Sequence, residues 1–358
     1  MNSILILSIF SALAISLILV PVLIRVAKQQ QLFDQPNERK LHQTPTPALG
    51  GVAIFAAVAI VAGIVLPTEF VINNMVIIAG LTLIFLMGLW DDLQPLSAKI
   101  RMVVQLLVAS ICWQQGFAFT TLFGIFGIET LTSFTSYLLT VLFICTAINA
   151  YNLIDGINGL AGSLSLVSST GFALLFSYLG MTNWMLFALA LVGGIMGFLY
   201  FNFGQAKVFM GDSGSTFLGL VFALMFFKVL NINTLEVVSL PMIVISASLI
   251  FVPIFDLLRV FALRIWQGKS PFQPDQNHLH HYLLTMGKSH AAACFIILAL
   301  AFIIIGSGYL LAHFYSLTTT LICLFNLGLI SVAAIQLSLE LTEVKQSEMQ
   351  RHFLSTLY

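Results

Sequence analysis

What most constrains this chain is its succession of long apolar runs. About eleven of them, each near the roughly 20 residues that carry a helix across some 30 Å of hydrocarbon, fall at 3–24, 48–66, 75–90, 102–122, 134–150, 163–180, 184–202, 215–231, 238–258, 291–312 and 317–337. They are continuous and do not alternate with period two, so they read as helices and not as barrel strands. Only 8% of the 358 residues are charged, against roughly 25% in soluble domains, which leaves too little polarity for a water-facing surface. The fold class expected is an all-α integral membrane protein, one polytopic domain over 1–358. The first run lacks a basic leader and a small-x-small cleavage site, so it reads as a retained helix and not a signal peptide.

Basic residues set the expected orientation. With eleven crossings, the loops 25–47, 91–101, 151–162, 203–214 and 259–290 and the tail 338–358 share one face. They hold 13 of the 14 Lys and Arg residues, all but Lys228. By the positive-inside rule that face is cytoplasmic, which puts the N-terminus outside and the C-terminus inside. Formal net charge is zero, so no field favours nucleic acid. Cys112, Cys145, Cys294 and Cys323 all lie within apolar runs and read as small hydrophobes.

Four polar patches interrupt the apolar sequence, and all four land on the basic face. Ionisable groups at the ends of apolar runs are costly and mark functional sites. Asp91-Asp92 closes the third run; adjacent carboxylates repel unless a cation is near, and Lys99 and Arg101 follow shortly. The second patch runs from Asn149 through Asn152 and Asp155-Gly156 to Asn158-Gly159. On a helix, the three-residue spacing of Asn149, Asn152 and Asp155 lines up oxygen donors on one face, hard ligands of the kind Mg²⁺ takes beside substrate phosphates. The third, Phe209-Met210-Gly211-Asp212-Ser213, precedes an apolar run, where a helix N-terminus offers free N–H groups to an anion or is simply capped. The fourth is His278-Leu279-His280-His281. Its spacing does not aim three rings at one ion and no Cys joins them, so phosphate or nucleotide contact is favoured over zinc. No P-loop, dinucleotide fingerprint or H-E-x-x-H motif occurs.

These patches, with Asn37-Glu38-Arg39-Lys40-Leu41-His42 and Gly50-Gly51, resemble in order and spacing the polyprenyl-phosphate N-acetylhexosamine-1-phosphate transferase family. The resemblance covers nearly the whole chain. It implies transfer of a HexNAc-1-phosphate, GlcNAc-1-phosphate above all, from a UDP-sugar to undecaprenyl phosphate. UMP is released, with Mg²⁺ or Mn²⁺ as cofactor. The setting would be a bacterial cytoplasmic membrane, at the first membrane step of a surface polysaccharide such as O-antigen or teichoic acid.

The resemblance also implies residue roles. Asp91, Asp92 and Asp155 would be catalytic carboxylates, and Asn152 and Asp212 metal ligands. Phe209, His278, His280 and His281 would bind the nucleotide, and Lys40, Lys99 and Arg264 phosphates. The H-x-H-H form of the histidine motif favours the GlcNAc branch over the peptidoglycan translocase, which has three consecutive histidines. Asn158 stands where bacterial relatives usually carry a second Asp. The same reaction with QuiNAc, FucNAc or MurNAc-pentapeptide as donor, and a homodimer, are left open. A secondary transporter, the rival from another class, would need ionisable residues at mid-span; only Asp256 answers to that.

Overall fold

A computed structural model describes residues 2–32, 46–125, 127–232, 239–271 and 275–356, the last stretch without side chains beyond 341. The apolar runs become helices. In chain order these are α1 (Asn2–Gln30), α2 (Gly50–Val65), α3 (Thr68–Asn73), α4 (Met75–Leu93) and α5 (Ala98–Gln114). A hairpin of β1 (Thr121–Ile125) and β2 (Ile128–Thr130) follows. Then come α6 (Ser133–Ile154), α7 (Leu160–Tyr178), α8 (Thr182–Asn202), α9 (Gly211–Leu230), α10 (Leu240–Leu249), α11 (Phe251–Trp266), α12 (Leu279–Thr285), α13 (His290–Leu311) and α14 (Leu317–Thr356).

Among the described residues, eight helices are long and apolar enough to cross a membrane, and nine if α10 and α11 form one span bent by 65°. The protein is therefore a multi-pass membrane protein, with fewer full-length spans than the eleven runs suggested. Two runs make the difference. α2 has 16 residues, about 24 Å of helix at 1.5 Å per residue. The run 102–122 stops being helix at Gln114. Gly116 then takes a left-handed conformation (φ 84°), which closes the helix, and Thr121 begins the hairpin, paired with Thr130. The bend between α10 and α11 falls at Ile250, three residues before Pro253, whose ring and missing N–H disfavour a continuous helix.

The core is organised around α9, which is 94% buried over its apolar window while the windows of α1 and α14 are 22% buried. α9 packs against α2, α4, α6, α7 and α10. The peripheral helices turn large apolar side chains outward, such as Phe10, Ile18, Phe302 and Ile330, as a hydrocarbon environment allows. Short connections make successive helices run in opposite directions. The C-terminal ends of α4, α6 and α8 thus meet the N-terminal ends of α5, α7 and α9, and the first three polar patches sit at those ends, with the histidines at the start of α12.

Candidate active site

The site is built on the N-terminus of α9. Two segments run side by side just ahead of it: the Phe209 N–H donates to the Pro47 carbonyl (2.8 Å), and Gly50 and Gly51 donate to the carbonyls of Phe209 and Met210 (2.8 Å each). Gly211 turns the chain into α9 with φ +76°, and a Cβ there would lie 2.5 Å from the Ala48 carbonyl oxygen and 2.6 Å from the Asp92 carboxylate. Only glycine fits that position. Gly88 similarly lets α4 lie against the Asp212 backbone, where a Cβ would come within 2.4 Å of its carbonyl oxygen.

The aspartate doublet divides its work. Asp92 reaches from α4 to the open end of α9, accepting from the Asp212 N–H (2.7 Å) and the Ser213 N–H (3.0 Å). It is an N-cap supplied by another helix, complementing the positive end of the α9 dipole. Asp91 turns the other way, accepting from the Leu96 N–H (2.6 Å) and the Arg101 guanidinium (2.9 Å). The same Arg101 nitrogen lies 3.5 Å from Asp212, so one cation bridges carboxylates of two helices. Lys99, two residues earlier, is exposed in the first turn of α5. Among the described residues Arg101 is thus the basic residue at the site, although its spacing from the doublet does not single it out over Lys99.

From α6, the Asn152 amide donates to the Asp212 carboxylate (2.8 Å) and the Ser215 hydroxyl (3.1 Å), with its carbonyl oxygen uncommitted among the described residues. Asn149 does not share this face: it donates to Gln105 (2.7 Å) and the Cys145 carbonyl (2.7 Å), tying α6 to α5. Asp155 ends α6, half-buried, near the Gly211 N–H. Burial, and after it the charges of Asp212 and Asp92, hold its carboxyl well above the usual carboxylate range. Asn158 is structural: its amide donates to the Gly204 carbonyl (2.8 Å) and its N–H to His290 (3.3 Å). An ionised Asp could not make the first bond.

The histidine patch reaches the same place. A Cβ on Gly156 would lie 2.2 Å from the His280 Nε2, so this imidazole packs on the turn that follows Asp155. Burial holds the His280 imidazole down, to about 3, and depresses His281 as well, so both are neutral near pH 7. His278 points elsewhere, its Nδ1 2.9 Å from the buried Asp256. Arg264 is buried and forms a bidentate pair with Asp275 (2.7 and 3.0 Å), and it also donates to the Pro271 carbonyl. Phe209 is half-buried, its N–H on the Pro47 carbonyl. Lys40 lies outside the described residues.

A divalent cation suits this donor set. Among the described residues four carboxylates share the site with one contacting guanidinium, and the Asn152 carboxamide, which donates to the Asp212 carboxylate, adds a neutral oxygen to the set. Among the described residues no three acidic, His or Cys side chains form a ready-made cage. That matches the habit of Mg²⁺, which takes one or two protein oxygens and completes its shell with water and substrate phosphates.

Residues 74–230, the stretch that holds α4 to α9 and most of this site, match the family model described as glycosyl transferase family 4. The chain is 33% identical over 290 residues to the probable undecaprenyl-phosphate N-acetylglucosaminyl 1-phosphate transferase of Bacillus subtilis, covering 80% of this chain and 79% of that one. The chain belongs to glycosyl transferase family 4. As a member of this family it is an enzyme, a sugar-phosphate transferase. It is also 30% identical over 299 residues to the undecaprenyl-phosphate alpha-N-acetylglucosaminyl 1-phosphate transferase of Escherichia coli K12, covering 81% and 79% of the two chains. With the decaprenyl-phosphate N-acetylglucosaminephosphotransferase of Mycobacterium leprae it shares 31% identity over 304 residues, 76% of this chain and 75% of that one. The family 4 match brackets Asp91, Asp92, Asn152, Asp155 and Asp212, and the histidine segment lies beyond it.

Proposed function

We propose that the protein transfers GlcNAc-1-phosphate from UDP-GlcNAc to undecaprenyl phosphate, giving undecaprenyl-diphosphate-GlcNAc and UMP. The reaction would take place at the cytoplasmic face of a bacterial inner membrane. The observation that carries this reading is the convergence of Asp91, Asp92, Asn152 and Arg101 on Asp212 at the N-terminus of α9. An oxygen-rich site with one bridging cation, at the end of membrane helices, suits a diphosphate whose acceptor is a lipid. The relatives' names supply the sugar and the carrier.

In this mechanism an oxygen of the lipid phosphate attacks the sugar-bearing β-phosphorus in line. The new P–O bond forms as the bond to the bridging oxygen breaks, and UMP departs with that oxygen and its electron pair. Catalysis is mostly positioning and charge neutralisation. Asn152 and Asp212 would hold Mg²⁺ or Mn²⁺, which when bound supplies positive charge to the diphosphate. Arg101 orients Asp91 and Asp212 and adds a further positive charge. Asp155, kept protonated more readily than an ordinary carboxyl, is suited to exchange a proton with a phosphate oxygen. His280 and His281, neutral near pH 7, offer hydrogen bonds to the nucleotide without charge repulsion from Arg101.

Purified protein with undecaprenyl phosphate, Mg²⁺ and a panel of radiolabelled UDP-sugars tests the reading. Labelled lipid from UDP-GlcNAc, lost in Asp212→Ala, is expected. No labelled lipid from any donor would overturn it, and label from a different UDP-N-acetyl sugar alone would correct the substrate.

A further inference from the structure

Asp256, in the middle of the bent α10–α11 pair, belongs to none of the groups around Asp212, yet it is among the most thoroughly satisfied carboxylates of the described residues. It is 1% exposed. One oxygen accepts from Arg259 (2.7 Å) and the other lies 2.9 Å from the His278 Nδ1. The Leu279 N–H points at both oxygens (3.3 and 3.4 Å), so Asp256 also caps α12. Arg259 continues to the Asn277 carbonyl and lies 5.6 Å from the Tyr282 ring centroid. One carboxylate therefore binds α11 to both ends of the turn that carries the histidines.

The bonding fixes a proton. A carboxylate paired with a guanidinium is ionised and can only accept, so the His278 Nδ1 must donate and carries the hydrogen. In the neutral ring its Nε2 is then a lone pair. That atom is buried and has no partner among the described residues, so it faces neither solvent nor an open cleft. His280 is buried as well (1% exposed) and its Nδ1 has no partner among the described residues, but its other nitrogen is placed differently: the ring lies parallel to that of His278 (7°, centroids 5.9 Å apart) and the Nε2 packs on Gly156, an exposed residue beside Asp155.

We propose that Asp256 and His278 are positioning residues, a clamp holding α12 so that His280, and not His278, presents its imidazole Nε2 to the substrate at the Asp155–Gly156 turn. This rests on the transferase reading above and refines it, since the three histidines cease to be equivalent. Asp256, the one acid that a transport mechanism would have used, becomes part of the scaffold.

Asn and Gln variants separate the roles, because an Asn amide can replace a ring Nδ1 and a Gln amide a ring Nε2. His278→Asn keeps a donor for Asp256 and should retain kcat/KM for UDP-GlcNAc to within about fivefold, whereas His280→Asn should lose roughly tenfold to a hundredfold, the range for one lost hydrogen bond at a desolvated site. His280→Gln should recover part of that loss. His278→Asn falling as far as His280→Asn, or His280→Asn remaining active, would overturn the proposal. Wild-type protein labelled with ¹⁵N-histidine provides a readout that survives misfolding of a variant. The His278 signals should report hydrogen on Nδ1 with or without nucleotide, while the His280 signals move on adding UDP-GlcNAc. A His278 ring with no hydrogen on Nδ1 in the free protein refutes the clamp whatever the substrate. A correct tautomer with no product from any donor refutes the transferase reading instead.

Discussion

Replacing Asp92 tests whether the two adjacent aspartates do different jobs. Its carboxylate accepts two backbone N–H bonds from the first turn of α9, at 2.7 and 3.0 Å. A hydrogen bond to a charged group contributes about 1.5–3 kcal/mol net, and a buried donor left unpaired costs about 1–3 kcal/mol. Asp92→Asn keeps one acceptor oxygen but turns an NH₂ toward the second N–H, so it should cost roughly 2 kcal/mol, in line with the loss of a good N-cap. Asp92→Ala removes both acceptors and should cost roughly 3–4 kcal/mol. At roughly 2–4 °C per kcal/mol for chains of a few hundred residues, the Asn variant should melt about 5 °C lower in detergent. Asp91 holds a turn and Arg101 at the mouth of the site, so Asp91→Asn should lose transfer activity with a smaller change in melting temperature. The assay is thermal melting of the purified variants alongside lipid-linked sugar formation. If Asp92→Asn melts with the wild type while Asp91→Asn is the destabilised one, the two aspartates do not divide the work in this way.

Gly211→Ala should abolish transfer and destabilise by at least about 1–3 kcal/mol, because the strained φ is joined by contacts of 2.5–2.7 Å with Ala48 and Asp92; Gly63→Ala, which meets nothing within 4 Å, is the control, and equal melting temperatures would refute the account. Asp155→Asn should inactivate yet stabilise at neutral and alkaline pH. The native state holds this proton above the usual carboxylate range and the unfolded chain releases it, so stability drains away as pH rises through the native value; melting curves from pH 5 to 8 should be flatter in the variant. His280 has the opposite sign. Its native value is lowered to about 3 and the unfolded chain takes up the proton near pH 6.5, so its contribution is present above that pH and lost as pH falls toward 3. His280→Gln should weaken the acid dependence of melting, and an unchanged slope would mean that this ring is not buried in solution.

Much of the fold was legible because hydrophobic length is a direct physical signal. Each apolar run contains a helix, and breaks fall where glycine or proline forbids continuation, as at Gly116 and ahead of Pro253. The number of full-length spans was less legible. α2 and α5 are apolar but short, and a run counted by hydrophobicity alone does not say where the backbone stops being helical. The topology-based grouping of the patches is matched by contacts that sequence does not print, Asn152 to Asp212 across 60 residues and Gly156 to His280 across 124.

The roles within the site were harder to read, because residue type leaves the direction of a side chain open. Asn149 and Asn152 have the same chemistry and helical neighbourhood, but one ties α6 to α5 and the other faces Asp212. Asp91 and Asp92 are adjacent in sequence and point to different helices. Arg264 carries the charge expected of a phosphate ligand and is paired with Asp275 inside the protein. In each case a second element decides the role, and the decision has a common cause. The N-terminal ends of α9 and α12 leave backbone N–H groups with no partner in their own helix, and where they are buried, as at Ser213 and Leu279, those groups must be satisfied by protein. Asp92 satisfies the first and Asp256 the second. The capping acids are therefore the condition for the rest of the cluster: with the α9 terminus closed by Asp92, the carboxylates of Asp212, Asp155 and Asp91 are left to face one another and the Arg101 guanidinium.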